Sequence, residues 1–392
     1  MSTAYLSYKL GDLLESIYSG GTPSTTHPEY WDGELPWLSS GETNQRYIAR
    51  TEKKITPNGV KNSSTRFAPK GAIVMASAGQ GKTRGQTSFL KVGMYINQSI
   101  IAIIPDRTKL ISEYLYYNLH TRYDELRSAS DSSSTRGSIT TEMLKGLKIC
   151  VPDLPTQTKI ADILSTYDDA IENNNRRIKI LEQLAENLYK EWFVRMRFPG
   201  HETAEYENGL PKGWNVCKIG AIVDRLPFNR LYKKDELNSE GKIIVVDQST
   251  DEYIGFHNNE PSHKASMDSP ILLFGDHSCK YQLMIQDFSL GENVVPFQTK
   301  GCDPYFLFFA INGIVTTTEY KRHWGELTSR KILLPESHLQ ETFSQKLKPL
   351  KAQQEQLILV NRKLRKQRDR LLPRLMSGKC LVTLNANKAI TV

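Results

Sequence analysis

The stretch LPTQTKIADILSTYDDAIENNNRRIKILEQLAENLYKEWFVRMRF, residues 154–198, decides how this chain folds. Within it Ile160, Leu164, Tyr167, Ile171, Asn174, Ile178, Leu181, Ala185, Leu188 and Trp192 step by alternating fours and threes. That spacing marks a helix that packs along one seam. No Gly or Pro interrupts it between Gln157 and Phe198, so the spacing predicts a helix of about 40 residues, about 60 Å long. A second series, Phe343, Leu347, Leu350, Gln354, Leu357, Asn361, Leu364, Arg368, Leu371 and Leu375, repeats the pattern. The two helices are expected to pair antiparallel, through Leu164, Ile171, Asn175, Ile178, Leu181 and Leu188 on the first and Leu350, Leu357, Asn361, Leu364 and Leu371 on the second. A polar Asn at or beside a seam costs stability but fixes register. Thr156 and Ser337 offer helix N-caps just after Leu154-Pro155 and Leu334-Pro335.

Outward from the helices, the chain repeats itself. A short apolar run reads as a closing strand before each helix, Leu147 to Val151 and Lys331 to Leu334. The openings Tyr8-Lys9-Leu10-Gly11-Asp12-Leu13 and Val216-Cys217-Lys218-Ile219-Gly220-Ala221 match as well. Each half carries a buried-strand pattern that ends in Gly and polar residues, Gly71 to Ala76 before Ser77-Ala78-Gly79 and Ile271 to Phe274 before Gly275-Asp276-His277. The implied order is a globular domain at 1–155, a spacer helix at 156–198, a linker at 199–213, a second domain at 214–335, a second helix at 336–378 and a tail at 379–392. The fold class is α/β (α+β), two globular domains in pseudo-symmetric repeat.

Composition sets the chemistry that is open to such a chain. With 39% hydrophobic and 24% charged residues it is ordinary for a globular protein, and its 392 residues suit two cores. A net charge of +8 and a pI of about 9.0 favour polyanions. Cys150, Cys217, Cys279, Cys302 and Cys380 stand apart without CxxC or zinc-finger spacing, which argues against a metal or disulfide framework. No run of about 18 apolar residues occurs. A reducing, cytoplasmic protein without cofactor, metal or membrane segment is expected.

Several motifs give this organisation a family. Gly20-Gly21-Thr22-Pro23-Ser24, then Tyr30-Trp31 and Gly33-Glu34-Leu35-Pro36-Trp37, with Asn97-Gln98 later, resemble one class of target-recognition domain in the specificity subunits of Type I restriction-modification systems. The run Val151 to Ile160 is similar to that family's junction between recognition domain and conserved helix. Val246-Asp247-Gln248-Ser249 and Phe274-Gly275-Asp276-His277 resemble a different recognition-domain class. The resemblance implies a non-catalytic DNA-binding subunit in which each domain reads one half of an asymmetric bipartite double-stranded target. It further implies methyltransferase subunits, two copies of them, and restriction-translocase subunits as partners, with adenine as the methylated base. Two readers on a rigid spacer would engage half-sites about 34 Å apart.

Candidate contacts follow from chemistry. Gln80, Lys82, Thr83 and Arg84 lie in one strand-ending loop, and His277, Lys280 and Tyr281 in the other; Gln pairs with adenine, Arg and Lys with guanine or phosphate. Ser133, Thr135 and Arg136 sit between a helical stretch and the first closing strand, and Thr328, Ser329 and Arg330 match them in the second half. Small hydroxyls beside Arg suit phosphates. Lys363, Arg365, Lys366, Arg368, Arg370 and Arg374 form a basic run on the second helix, with Arg368 on the seam itself. Three rivals compete. Ala76 to Thr83 fits a loose phosphate loop with Lys82 and Thr83 as its working residues, provided that a helix follows. Asp276 and His277 read as an acid-base pair, and Glu52-Lys53-Lys54 and Glu240-Gly241-Lys242 have nuclease-like spacing that chance explains in so charged a chain. A coiled-coil scaffold without nucleic acid is the third.

Overall fold

The strand Ile73–Ala76 is buried at every residue, which requires cover on both faces of its sheet. In the computed structural model, which describes residues 5–79, 81–131, 137–317, 319 and 321–380, alternate residues of that strand enter two separate cores. Ile73 and Met75 join Ile101, Ile103, Tyr114 and Leu115 on the helical side. Val74 joins Ile100, Ala102, Leu38 and Ile48 on the other. The two-residue period of a strand thus divides one apolar run between two layers.

The chain forms two units, one joining everything up to Glu172 with the stretch from Asn361 onward, the other running from Asn173 to Val360. In the first unit the main sheet orders Leu14–Ser19, Ile100–Pro105, Ile73–Ala76, Thr87–Leu90 and Tyr47–Ile48. In the second the order is Val223–Arg225, Val294–Thr299, Ile271–Gly275 and Tyr281–Met284. Four strands in each follow the same antiparallel ladder. Each unit adds a smaller sheet with one parallel pair, Trp31–Leu38 beside Met94–Ile96 and Ile243–Val246 beside Phe288–Leu290. In the second unit Leu272 and Phe274 again face one core while Ile271 and Leu273 face another.

Both units close the same way. Leu6–Lys9 pairs with Lys148–Val151, and Asn215–Lys218 with Lys331–Leu334. The residue that follows then donates back across the ladder, Leu10 N–H to the Leu147 carbonyl at 2.8 Å and Ile219 N–H to Arg330 at 2.9 Å. The family-like glycines near the N-terminus are architectural: a Cβ on Gly20 would stand 1.9 Å from the Ile96 carbonyl oxygen. Gly21 N–H donates to that same oxygen at 3.0 Å, and the Trp37 indole donates to the Gly21 carbonyl at 3.2 Å.

The first long helix spans Leu154–Tyr189 and ends in a π turn, Lys190–Val194; the second spans Ser337–Met376. The N-cap of the first is Asp153, not Thr156: the Asp153 carboxylate accepts the Thr156 N–H at 3.1 Å, while Thr156 lies buried inside the first turn. The linker also holds structure, a hairpin of Tyr206–Glu207 and Leu210–Pro211 turning on Asn208 and Gly209, both at positive φ. Segments of the two helices share a core in each unit. In the first, Ile160 and Leu164 pack with Leu372, Leu375 and Met376; in the second, Ala185, Trp192 and Phe193 pack with Phe343 and Leu347. The Asp168–Arg368 pair of the first unit and the Gln354–Glu182 bond of 2.7 Å in the second run in the same antiparallel sense.

Among the expected seam residues, Leu164, Ile171, Leu357 and Asn361 are buried, and Ile178, Leu181, Leu188, Leu350, Leu364 and Leu371 are half-buried. Asn175 is exposed, and its neighbour Asn174 holds the buried position. The seam steps three residues from Ile171 to Asn174 and four on to Ile178, so Asn175 falls one residue past it.

A buried glutamine locks each helix to its domain. Gln157 donates to the carbonyls of Pro152 at 2.9 Å and Lys109 at 3.0 Å, and accepts the Ile111 N–H at 2.9 Å. Gln340 donates to Pro335 at 2.7 Å and accepts the Asp303 N–H at 2.8 Å. Replacing either by Ala would leave backbone groups buried without partners, so we expect Gln157→Ala and Gln340→Ala each to cost about 2–4 kcal/mol. Urea unfolding of each variant beside a control at the exposed Gln353, Gln353→Ala, measures it. A loss below about 0.5 kcal/mol for both would remove the clamp from the account.

Candidate nucleic-acid interface

The two strand-ending loops are turns of antiparallel hairpins. In the first unit the loop leaves Ile73–Ala76 and returns through Thr87–Leu90, with Met75 opposite Thr87. Ala76 N–H donates to the Gln86 carbonyl at 2.9 Å, and Gly85, at positive φ, donates back to Ala76 at 2.9 Å. A phosphate loop needs a helix where Thr87–Leu90 forms a strand, so that reading of Lys82 and Thr83 is overturned. The apolar run after the loop extends as the sheet's next member because Phe89 and Leu90 face its two cores.

Side chains behind this loop hold it in place. Tyr123 donates its hydroxyl to the Lys82 carbonyl at 2.7 Å, and Arg127 donates to the Arg84 carbonyl at 3.0 Å. Arg84 itself is buried and bonded to Asp131 at 2.7 Å, so it braces the loop instead of facing outward. Lys82 is exposed and Thr83 half-buried. Gln80, Ser133, Thr135 and Arg136 lie outside the described residues.

The second hairpin joins Ile271–Gly275 to Tyr281–Met284. Asp276 is buried, and its carboxylate accepts the N–H groups of His323 at 3.1 Å and Trp324 at 2.9 Å. It therefore anchors the start of the helix Trp324–Ser329, and the acid-base reading of Asp276 with His277 fails. The His277 N–H donates to Gln248 Oε1 at 3.1 Å, and its Nδ1 lies 3.0 Å from the Lys321 carbonyl. Lys280 Nζ donates to the Asp251 carbonyl. Tyr281 turns inward: its ring packs 5.1 Å from Phe274, and burial pushes its buried hydroxyl well above the ordinary tyrosine range. That removes Tyr281 from the outward-facing set.

Thr328, Ser329 and Arg330 each make a hydrogen bond within their own segment, to the Trp324 carbonyl at 3.1 Å, the Glu326 carbonyl at 2.7 Å and the Glu326 carboxylate at 2.7 Å respectively. Their place in the repeat also differs from the sequence expectation. Arg330 receives the Ile219 N–H as Leu147 receives that of Leu10, and Thr328 lies under Gly220 as Lys145 lies under Gly11. Ser329 and Arg330 therefore correspond to Gly146 and Leu147, not to Thr135 and Arg136. The short helix Thr141–Gly146 was the missing marker of that register.

Sequence reading missed a polar network in the first unit. A cleft of about 490 Å³ in the first unit is lined by Gln45, Arg46, Lys82 and Tyr116 together with Asp168 and Arg368. Asp168 is its hub. It accepts the Tyr117 hydroxyl at 2.7 Å, bonds Arg368, and lies 3.6 Å from Arg46, whose other guanidinium nitrogen meets Asp169 at 2.9 Å. Burial, reinforced by the Asp168 charge, pushes the Tyr117 hydroxyl far above its ordinary value. Arg368 was the odd residue of the seam pattern, and this pairing explains it: its charge is satisfied by the facing helix. The remaining basic run, Lys363, Arg365, Lys366, Arg370 and Arg374, is exposed. Among the described residues no cluster of three or more His, Cys, Asp or Glu suits a metal, and no helix is long and apolar enough to cross a membrane.

A duplicated α/β domain, each copy bonded to a long helix and presenting a braced hairpin loop, defines the class of fold. A Type I restriction-modification S subunit from M. genitalium has this fold, with a TM-score of 0.63 at 17% identity over 95% of this chain and 96% of that one. Residues 5–183 match the Type I restriction modification DNA specificity domain. The MjaIX specificity subunit of Methanocaldococcus jannaschii is 28% identical over 95% of this chain and 93% of its own length. The EcoR124I/EcoR124II specificity subunit of Escherichia coli is 32% identical over 42% of this chain and 43% of its own. Over nearly its whole length the chain is thus similar to specificity subunits of Type I restriction-modification systems.

Two outcomes follow, one for the first unit's hub and one for the buried histidines of both units. Asp168→Asn would leave two largely buried guanidinium groups with only the exposed Asp169 and Asp369 as partners, and we expect it to lose about 3 kcal/mol in urea unfolding; Tyr117→Phe, which removes one hydrogen bond, should lose about 1 kcal/mol. A smaller loss for Asp168→Asn than for Tyr117→Phe would contradict the hub. Burial, with Arg368 secondarily, holds His120 below its ordinary value; burial, with Arg230, does so for His257, and burial alone for His263. Each binds a proton more weakly folded than unfolded, so its contribution is present above about pH 6.5 and is lost as pH falls through the folded values. Thermal midpoints should therefore decline from about pH 7 to about pH 5, and His120→Asn should flatten that decline.

Proposed function

We propose that this chain is the non-catalytic DNA-reading subunit of a Type I assembly and directs methyltransferase and restriction-translocase subunits to an asymmetric bipartite sequence. One domain reads each half-site, and the long helices set the spacing between them. The observation that carries this reading is a duplicated frame bearing unlike loops: Lys82 exposed in a glycine-rich turn on one copy, His277 bonded to Gln248 and Lys280 to Asp251 on the other. A frame repeated for its own stability has no need of differing polar tips; two different half-sites do. Lys82, Thr83, His277, Lys280, Thr328, Ser329 and Arg330, with Gln80, Ser133, Thr135 and Arg136, are the contacts we assign, Lys82 to phosphate. Two methyltransferase copies and a cytoplasmic setting complete the proposal.

The direct experiment is to purify the chain with its methyltransferase subunits and map modified positions, then exchange residues 1–155 for another family member's domain. We expect one half of the methylated motif to change while the other half is kept. A motif that survives the exchange unaltered would refute the reading. DNA affinity of the assembled complex should also fall steeply with salt through counterion release; a salt-independent affinity would favour the scaffold.

A further inference from the structure

The cleft beside the first hairpin carries three primary amides on its rim, Asn44, Gln45 and Gln86, with Lys82 next to them. We infer that these amides are base-reading side chains of the first domain, and that the half-site it reads places adenine opposite them; this rests on the function proposed above.

Rigid support is the first ground. Ser88 is fully buried, and its hydroxyl donates to the Gln45 carbonyl at 2.6 Å and the Thr43 carbonyl at 3.1 Å. Phe89 N–H donates to the Arg46 carbonyl at 2.8 Å, so the segment carrying Asn44 and Gln45 is stitched along the strand Thr87–Leu90. Upstream, Glu42 closes the turn by accepting both the N–H and the hydroxyl of Ser39 at 3.0 Å. Gln86 is held by its own backbone, accepting from Ala76 and donating to Thr83 at 3.0 Å. Preorganised backbone lowers the ordering cost of each contact.

Availability is the second. Asn44 and Gln45 are exposed and Gln86 half-exposed, and among the described residues their amide groups make no hydrogen bond. Charge is the third. The guanidinium groups of Arg46 and Arg368 in this cleft are already neutralised by Asp168, Asp169 and Asp369. Its interior is thus no phosphate site, whereas a neutral amide matches the paired acceptor and donor of an adenine edge, N7 and N6–H. The second unit supplies the contrast. There the loop after Ile243–Val246 likewise lies against the hairpin, but Gln248 is bonded to His277 and Gln282 donates to the Glu252 carbonyl at 3.1 Å. Amides left without hydrogen bonds on one reader are bonded within the other.

The test uses the complete methylating complex on a DNA library randomised across both half-sites. Asn44→Ala with Gln45→Ala, and separately Gln86→Ala, should relax discrimination about tenfold or more at one or two positions of the half-site moved by the domain exchange. The other half-site should stay as strict as before. Gln45→Glu, which keeps the shape but only accepts hydrogen bonds, should move the preference at its position from adenine toward cytosine. If the exchange moves a half-site while all these variants methylate the parental motif with parental strictness, this inference is overturned and the proposed function stands. If the exchange itself moves nothing, both fall. Should the double variant lose its fold, as read by its melting midpoint, the Gln45→Glu result decides: a switched base supports the assignment and an unchanged motif overturns it.

Discussion

The buried side-chain amide of Gln157, and of Gln340 in the second unit, is the interaction on which the rest of this architecture depends. Each sits at the one place where three kinds of element converge: the end of the closing strand, the first turn of a long helix, and the start of the domain's own packing helix. A glutamine suits that junction because a single amide both donates and accepts, and every group it meets there belongs to the backbone. Hydrophobic contact fastens a helix to a sheet but leaves it free to slide or rotate. A multiple hydrogen bond in a dry site fixes the angle, since each misaligned bond would cost its desolvation.

From that joint outward, each element is placed by the one before it. The closing strand fixes the N-terminal strand through its ladder, and the residue after it bonds back across, Leu10 in one unit and Ile219 in the other. The main sheet then spreads alternate residues into two cores, and at its hairpin ends Arg84 and Asp276 turn inward as braces while Lys82 stays exposed. In the first unit the Asp168 hub adds a second tie between sheet-side loops and helices: Tyr117, Arg46 and Arg368 come from three separate elements to one carboxylate.

What the sequence made legible follows this division. The helix periodicity, the closing strands, the matched openings and the doubled organisation could all be read, because burial imposes a period and the period survives in a single chain. Asn175 was misplaced by one residue, since a seam of alternating threes and fours gives no residue-level fix where polar side chains run together at Asn173, Asn174 and Asn175. The N-cap at Asp153 was missed because Asp153 and Thr156 are both good capping residues and only the backbone angle chooses. Arg84 and Tyr281 looked like readers by residue type, yet ended inside, Arg84 on Asp131 and Tyr281 against Phe274. Residue chemistry alone does not say which way a loop side chain turns. The Asp168 network was invisible for a different reason: its members are far apart along the chain, and nothing local to any of them announces the others.

The same reasoning explains why the most telling loop residues carry so weak a motif. Gly20, Gly21 and Trp37 form a recognisable signature, but close backbone approach and indole hydrogen bonding account for them fully. They keep the second sheet against the first and so tell a reader of sequence which scaffold is present. Asn44, Gln45 and Gln86 sit on that scaffold without their side chains holding any of it up. Side chains free of structural work are the ones a target sequence is able to select, and for that reason they form no signature at all. In such a protein the scaffold is written in periodicity and glycine, while specificity is written where the physics of folding places no demand.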